Sequence, residues 1–429
     1  MGHQEAAAQQ NATTHSHTFP PLGTAIAVTP ENRAEALRGT PIFFRLACNI
    51  AARIQIGSIT FQLPDGRALA FNGVEEPETR ALIQISDFDF ARRVIFGGDS
   101  GFFESFADGQ WDTPDLSTCL YVLARNADHI NRAFEGTTLI RWIERARHAM
   151  NRNTKVGAKR NIMAHYDLGN AFYEKWLDKT MTYSSARFHS QTENLADAQT
   201  NKYRALAHSI GLKPDEHVLE IGAGWGGFAE FAAKEVGAKV TGLTISAAQY
   251  DYASERIFRA GLNERVSLRL QDYRDEAGAY DKIASIEMFE AVGKAYWPQY
   301  FSKVRECLAP GGVAGLQIIT IADRFFDRYL KSPDFIQRYV FPGGMLPSPS
   351  QLKTHINGAG LTWKDTNAFG EDYARTLAEW RERFLGAWDD IAQMGYSERF
   401  KKLWRFYLAY CEAGFRARTT DVVQVSLTR

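Results

Sequence analysis

The segment that most restricts the possible folds runs from residue 217 to residue 262, because apolar strands and amphipathic helices alternate along it. It begins with the strand HVLEI, passes through the glycine turn GAGWGG into a helix, and repeats this order with the strand VTGLT and a second helix. Further strands are predicted at VSLRLQDY, YDKIASIEMF and GGVAGLQIITIA, and a helix is predicted over 195–211. This alternation favours an α/β fold with a doubly wound, mostly parallel sheet, whose ligands bind at the carboxyl ends of the strands.

The turn after the first of these strands has the composition of a cofactor-binding loop. Glycine is favoured where the backbone adopts a positive φ or approaches a ligand closely. By itself, such a turn is compatible with a dinucleotide, with a nucleoside or with no ligand. The candidate cofactor residues in this turn are Glu220, Gly222, Ala223, Gly224, Trp225 and Gly226.

Two later segments distinguish between the possible cofactors. A dinucleotide fold usually carries Asp or Glu at the end of its second strand, whereas this chain offers Thr244, Ser246 and Gln249 there. After the third strand, Asp272 and Tyr273 are suited to hold an adenine, one by hydrogen bonding and the other by stacking. This combination favours S-adenosylmethionine over NAD.

The charge of the chain argues against a protein that coats nucleic acid. Lys and Arg together number 50, as do Asp and Glu, and the formal net charge is zero, so an anionic partner must be met by a local patch. The segment 141–160 carries seven Lys or Arg residues against the single acid Glu144. It is predicted to be either a solvated linker or a basic rim that meets anionic phospholipid headgroups.

The part before this basic segment is predicted to be a small α+β domain over 31–135, preceded by a disordered tail over 1–30. Its clearest element is the hairpin IGSITFQLPDGRALAFNG, in which Pro-Asp-Gly forms the turn. Pro41 is expected to interrupt or start a helix. A basic linker over 136–160 then leads to the main α/β domain over 161–429.

The cysteines and the hydropathy indicate the compartment. Cys48, Cys119, Cys307 and Cys411 lack metal-binding spacing, which fits a reducing compartment and predicts no metal site. The N-terminal sequence lacks the layout of a signal peptide, and no run of about eighteen apolar residues occurs. We therefore expect a cytoplasmic protein that does not span a membrane.

Several motifs, in the same order, resemble the cyclopropane-fatty-acid synthase family and its mycolic-acid methyltransferase relatives. They are NIMAHYDLGNAFYEKWLDKTMTYSSARF, VLEIGAGWGGFAEFAA, VTGLTISAAQ, EMFEAVG, YVFPGGMLPS and FYLAYCEAGFRA, within about 140–429. The resemblance implies a seven-stranded class I methyltransferase domain that transfers a methyl group from S-adenosylmethionine to the cis double bond of an acyl chain on a membrane phospholipid. It also implies a homodimer that associates peripherally with the inner face of the membrane, and a lipid-associated N-terminal domain.

The resemblance assigns roles to individual cofactor residues. Tyr183 and Ser184 would contact the methionine part of the cofactor, and the glycine turn would hold its backbone and sugar. Thr244 to Gln249 would bind the ribose, and Asp272 with Tyr273 the adenine. His165 would order a lid over the cofactor rather than transfer protons.

The resemblance further implies a bicarbonate ion that takes a proton from the product cation. The family holds this ion by the backbone near a cysteine, by a glutamate, by a histidine and by a tyrosine. Glu290 and Tyr373 match the glutamate and the tyrosine, whereas Ser185 stands at the cysteine and Gln317 at the histidine. An amide can hold an anion but does not titrate near neutral pH, and Ala291 replaces a further histidine. The sequence therefore predicts either bicarbonate in an altered cage or Glu290 as the base, with a methyl- or methylene-branched product as an alternative to a cyclopropane.

Each of these residues also has an ordinary structural interpretation. Glu290 fits a helix-capping or salt-bridging carboxylate, and Tyr373 fits an ordinary core residue. Cys411 occupies the family's C-terminal cysteine position, but a lone cysteine in an aromatic helix is more often a small buried apolar residue. The segment YVFPGGMLPSPS is either a plain Pro/Gly loop or the lip of an acyl tunnel.

Two other functions remain open at this point. The first is a lipid- or cofactor-binding homologue that has lost catalysis, since the predicted bicarbonate cage is altered. The second is a methyltransferase for a soluble small molecule, which the N-terminal domain and the basic segment disfavour.

Overall fold

The computed structural model describes residues 24–130 and 168–429, which contain a five-stranded and a seven-stranded sheet. The basic segment 141–160, the linker 136–160 and His165 lie outside the described residues. No helix of the described part is long and apolar enough to cross a bilayer.

The N-terminal sheet has the strand order β1-β3-β2-β4-β5. Its strands are β1 (Ile26–Ala27), β2 (Ile56–Gln62), β3 (Ala68–Asn72), β4 (Glu75–Ile85) and β5 (Trp111–Asp112). The accompanying helices are α1 (Arg33–Ala36), α2 (Ile42–Ala51), α3 (Asp89–Ala107) and α4 (Leu116–Arg125).

The predicted hairpin is confirmed, because β2 and β3 pair antiparallel and Gln62 lies opposite Ala68. Pro41 starts a helix, as the N-cap of α2. The predicted tail, in contrast, ends too late in the sequence: Ile26–Ala27 pairs in parallel with β3, and the amide of Val28 donates to the carbonyl of Ala70 at 2.8 Å. The free edge of β3 supplies these hydrogen bonds, and the composition of the tail gives no sign of it.

The larger sheet has the order β11-β12-β10-β9-β6-β7-β8, which confirms the seven-stranded, doubly wound prediction. Neighbouring strands from β8 to β10 pair in parallel, whereas β12 pairs antiparallel with β10 and β11. The strands are β6 (His217–Ile221), β7 (Lys239–Thr244), β8 (Val266–Leu270), β9 (Tyr280–Ile286), β10 (Leu308–Ile321), β11 (Thr362–Ala368) and β12 (Thr420–Thr428).

The helices of this part cover the sheet and link it to the N-terminal domain. The first of them are α5 (Asn170–Glu174), α6 (Leu195–Ser209), α7 (Gly227–Phe231), α8 (Ala247–Arg259) and α9 (Trp297–Cys307). They are followed by α10 (Asp323–Lys331), α11 (Phe335–Tyr339), α12 (Pro349–Gly358), α13 (Gly370–Gly386), α14 (Trp388–Gln393) and α15 (Glu398–Arg416).

The two sheets share one hydrophobic core through α15. Phe406 of this helix is fully buried, and its ring centroid lies 5.3 Å from that of Phe103 and 5.8 Å from that of Phe106, both in α3. On the same helix, the Glu412 carboxylate pairs with Arg381 at 3.0 Å and accepts a hydrogen bond from Ser117 of α4. The N-terminal domain is therefore packed directly onto the larger one.

The strand order reverses at β6, which has β7 on one side and β9 on the other. At such a switch point the loops that leave the carboxyl ends diverge, and a crevice opens between them. The predicted glycine turn follows β6 and thus lies in this crevice.

Candidate functional site

A cavity of about 1650 Å³ lies along the carboxyl ends of β6 to β10 and extends between the two domains. Every predicted cofactor residue except Gly226 lines it. Gly226 instead has a φ of 80° and forms the N-cap of α7. The residues predicted to bind the cofactor thus lie together along one part of the cavity, and their role in binding stays a prediction.

The glycine turn has the close geometry that the sequence indicated. Gly222 has a φ of 86°, and a Cβ atom there would lie 2.8 Å from the Cγ of Met288. Gly224 has a φ of 52°, and nothing lies within 4 Å of the position that its Cβ would occupy. Its backbone is thus open to a ligand in the cavity.

Glu220 is the charged group at the base of this turn. Its side chain is buried, and within the described chain the Oε2 atom has no hydrogen-bond partner. Burial raises the pKa of this carboxyl to about 8, although Arg256 and Lys202 lower it. A buried carboxylate oxygen without a partner fits a cationic ligand, such as the ammonium group of S-adenosylmethionine.

The groups predicted for the sugar and the base also face the cavity. The Thr244 hydroxyl donates to the Oε1 atom of Gln249 at 3.0 Å, and the Ser246 hydroxyl caps α8. Asp272 forms an ion pair with Arg274 at 2.5 Å, and half-buried Tyr273 lines the cavity beside it. Hydroxyl, amide, carboxylate and ring are the groups that a nucleoside needs.

A second carboxylate, Glu287, was not identified from the sequence. Its Oε1 atom accepts hydrogen bonds from the Ser185 amide and from the Gln317 side chain, both at 2.8 Å. Its Oε2 atom accepts one from the Tyr373 hydroxyl at 2.6 Å. Three residues predicted to hold bicarbonate thus hold the carboxylate of Glu287.

Glu287 also has an unusual backbone. Its φ is 50°, in the left-handed region that costs about 1 kcal/mol for a residue with a Cβ. It lines the cavity at the end of β9, and burial raises the pKa of its carboxyl. The signal in the sequence was the extra acid three residues before Glu290 in EMFEAVG, which the prediction did not use.

Glu290 lines the cavity as predicted, but its surroundings differ from those of Glu287. Its Oε1 atom accepts a hydrogen bond from the Ile319 amide at 2.5 Å, and its Oε2 atom has no partner among the described residues. Burial, followed by the nearby charge of Glu287, raises the pKa of Glu290 to about 8. Glu290 is therefore largely protonated at neutral pH.

Ser185 and Gln317 are fully buried, and neither lines the cavity. The Ser185 hydroxyl donates to the carbonyl of Ala186 at 2.9 Å, and the Oε1 atom of Gln317 accepts from Gln424 at 3.0 Å. In the structure, both residues hold Glu287 rather than face the substrate space.

Tyr373 and Cys411 both line the cavity. The Tyr373 ring stacks on Phe415 at a centroid distance of 4.4 Å, which directs its hydroxyl to Glu287. Burial raises the pKa of the Cys411 thiol well above its usual range. The thiol is therefore protonated and behaves as a small apolar group.

The remaining lining of the cavity is apolar and comes from both domains. Phe341, Pro342 and Met345 of the YVFPGGM segment line it, in keeping with the lip of a tunnel. The N-terminal domain adds Ala47, Ile50, Ile59, Phe61, Ile83, Phe90, Val94, Leu120 and Leu123. The part of the cavity that the predicted cofactor residues line thus continues into an apolar space that the N-terminal domain also lines.

Comparisons with known proteins identify similar sequences and structures. The family model for mycolic acid cyclopropane synthetase matches residues 153–425. The chain is 38% identical to tuberculostearic acid methyltransferase UfaA1 of Mycobacterium tuberculosis, over 85% of this chain and 86% of that protein. It is 36% identical to the cyclopropane-fatty-acyl-phospholipid synthase of Escherichia coli, over 86% of this chain and 93% of that protein.

Solved structures of cyclopropane synthases are similar to part of this chain. The structure of the cyclopropane synthase MmaA2 from Mycobacterium tuberculosis matches with a TM-score of 0.59 and 29% identity, over 63% of this chain and 98% of that chain. Mycolic acid cyclopropane synthase CmaA1 complexed with SAH and CTAB matches with the same score, identity and coverage.

Proposed function

Because the chain belongs to the mycolic acid cyclopropane synthetase family of S-adenosylmethionine-dependent methyltransferases, we propose that it methylates the double bond of unsaturated acyl chains on membrane phospholipids. We propose further that Glu287 accepts the proton that the family gives to bicarbonate. The observation that carries this second point is that Ser185, Gln317 and Tyr373 all donate to the Glu287 carboxylate.

The cofactor half of the cavity supports the first step. When bound, S-adenosylmethionine supplies an electrophilic methyl group on a sulfonium. Glu220 would meet its ammonium, while Thr244 and Gln249 would meet its ribose. An alkene is a weak nucleophile, so the walls of the cavity must exclude water and hold the double bond in line, and orientation then supplies much of the acceleration.

The aromatic lining supports the second step. Attack by the alkene leaves a carbocation on the acyl chain, which aromatic ring faces stabilise. Tyr183, Phe341, Tyr373 and Tyr407 line the cavity, and the Tyr183 and Tyr407 hydroxyls satisfy each other at 2.7 Å. Because the hydroxyls of the three tyrosines are paired, these residues and Phe341 can present ring surface to the acyl chain.

The Glu287 carboxylate then removes a proton from this cation. Loss of the proton from the new methyl group closes a cyclopropane. After a hydride shift, loss of a proton from the methyl group instead leaves a methylene branch, and loss from the neighbouring chain carbon leaves a methyl-branched alkene. Mass spectrometry and NMR of lipids from an expressing host decide between these products, and the absence of any added carbon would refute methyl transfer.

The carboxylate itself is tested by Glu287→Gln, with product formation and SAH binding measured separately. Loss of a general base lowers the rate by about 100-fold or more, while SAH binding should persist. Removing dissolved bicarbonate should leave the wild-type rate unchanged. Strong dependence on added bicarbonate would refute the role given to Glu287.

A matched control is Glu412→Gln, since Glu412 is also buried and hydrogen-bonded but lies at the domain interface outside the cavity. This variant should lose stability while its turnover per folded molecule stays unchanged. Equal losses of turnover in both variants would indicate a general packing effect.

The apolar half of the cavity supports a lipid substrate taken from a membrane surface. On α10, Phe325, Arg328 and Tyr329 line the cavity. The exposed residues of this helix include three cations, Arg324, Arg328 and Lys331, and two acids, Asp323 and Asp327. Cations beside an apolar opening suit an anionic bilayer. Failure to sediment with anionic vesicles would instead favour a soluble small-molecule substrate, and the homodimer stays a prediction.

A further inference from the structure

Lys202 of α6 is a lysine with no exposed surface, and the steps above leave it without a role. Its Nζ atom donates to the Ser184 hydroxyl at 2.6 Å and to the Oε1 atom of Gln199 at 2.8 Å. The Gln199 amide in turn donates to the carbonyl of Ser184 at 2.9 Å. Helix α6 therefore holds Ser184 at two atoms.

Two routes connect Lys202 with Glu287. In the first, Ser184 is followed by Ser185, whose amide donates to Glu287. In the second, the Gln424 side chain donates to the carbonyl of Lys202 at 3.1 Å and to the Oε1 atom of Gln317 at 3.0 Å. Gln317 then donates to the same Oε1 atom of Glu287. The side chain of Lys202 thus reaches one donor of that oxygen through Ser184, whereas its backbone carbonyl reaches the other through Gln424.

The charges around Lys202 also link this residue to Glu287. Burial lowers the pKa of this lysine to about 7, while Glu287, Asp178 and Glu220 raise it, in that order. Lys202 in turn lowers the pKa of Glu287, which burial raises. A buried charge is tolerated where an opposite charge compensates it, and Glu287 is the acid with the largest effect on Lys202. Arg256 is a further cation near Glu220.

We propose that Lys202 is a positioning residue for the proton-accepting step. Its ammonium group compensates the negative charge of Glu287, and its hydrogen bond to Ser184 fixes the peptide that donates to that carboxylate. This inference rests on the function proposed for Glu287, and it adds the group that keeps this carboxylate ionised inside a dry cavity.

The test compares wild type with Lys202→Met, Lys202→Arg, Glu287→Gln and the double variant Lys202→Met/Glu287→Gln. Methyl transfer is measured against pH on vesicles of monounsaturated phosphatidylethanolamine and phosphatidylglycerol. Removal of the cation makes the carboxylate harder to ionise, so the acid limb of the kcat profile of Lys202→Met should move to higher pH by about one unit or more. Lys202→Arg should keep the wild-type limb with a lower kcat.

Thermal unfolding supplies a readout that does not depend on turnover. If the two charges compensate each other, the double variant should unfold at a higher temperature than Lys202→Met, because neither charge is then left alone. The matched control is Lys282→Met, since Lys282 is also buried and its Nζ atom lies 3.8 Å from the Oε1 atom of Glu216. Lys282 lies in β9, at the opposite end of this strand from Glu287. It should lower stability without moving the acid limb.

The outcomes separate the two proposals. An unmoved acid limb in Lys202→Met, or strictly additive unfolding temperatures in the double variant, would overturn the role of Lys202. If the wild type incorporates no methyl group into lipid, the proposed function fails, and coupling between Lys202 and Glu287 in the unfolding experiment still decides whether the two charges compensate each other.

Discussion

Tyr373→Phe isolates one hydrogen bond at the centre of the site. The phenol donates to the Oε2 atom of Glu287 at 2.6 Å, and its ring stacks on Phe415. Phenylalanine keeps the stack and removes the donor. A hydrogen bond to a charged group contributes about 1.5–3 kcal/mol, so its loss should raise the pKa of Glu287 by about 1–2 units.

The direction of the pKa change depends on whether the hydrogen bond stabilises the ionised or the protonated form of Glu287. Tyr373 lowers the pKa of Glu287 by stabilising its carboxylate, so the variant carries more protonated Glu287 at any given pH. The acid limb of kcat for methyl transfer should therefore move upward by the same 1–2 units, about a 10- to 100-fold loss of rate on that limb. The measurement is a pH–rate profile at saturating substrate, together with SAH binding, which should not change.

Tyr280→Phe is the matched control for this variant. The Tyr280 hydroxyl also donates to a buried carboxylate, Glu276, at 3.0 Å, but Tyr280 starts β9 and does not line the cavity. It should lower stability and leave the pH profile in place. An acid limb that stays fixed in Tyr373→Phe, or moves equally in Tyr280→Phe, would refute the argument that Glu287 is the proton acceptor.

Two further predictions concern the other buried carboxyls. The pKa of Glu290 is raised from 4.5 to about 8. Its contribution to stability is therefore complete below pH 4.5 and is lost progressively as the pH rises from there through 8. Glu290→Gln should unfold at a higher temperature than wild type at pH 9, with little difference at pH 5, and the opposite order would contradict its burial as a neutral acid. The raised pKa of Glu220 means that a cationic ligand must displace a proton below pH 8, so SAH affinity by calorimetry should increase from pH 6 to pH 8 by up to about tenfold per unit. Glu220→Gln should remove this dependence, and a flat wild-type profile would argue against contact between Glu220 and the ligand ammonium.

The elements that were predicted correctly depend on short-range patterns. The strand VLEI, the glycines after it and the hydroxyl and amide groups of TISAAQ are close in sequence, and the parallel sheet brings their strand ends to one edge. The helix predicted over 195–211 ends at Ser209. For such segments, periodicity and turn chemistry are sufficient.

Glu287 was missed because its environment is assembled from distant parts of the chain. Glu287 is separated by 102 residues from Ser185, by 30 from Gln317 and by 86 from Tyr373. The sequence showed that Tyr373 matches the family pattern and that Ser185 and Gln317 differ from it. It gave no indication that they converge on the carboxylate of Glu287.

The sequence alone determined the doubly wound sheet and, through the motifs shared with the family, the S-adenosylmethionine-dependent methyltransferase class, because strand periodicity and motifs are local features of the chain. Only the tertiary structure decided which carboxylate receives three donors, that Lys202 is enclosed behind it, and that the N-terminal domain forms part of the cavity wall. The reason is physical: the pKa of a carboxyl and the shape of a cavity are set by groups that are neighbours in space, and packing through α15 makes neighbours of residues that are far apart in sequence.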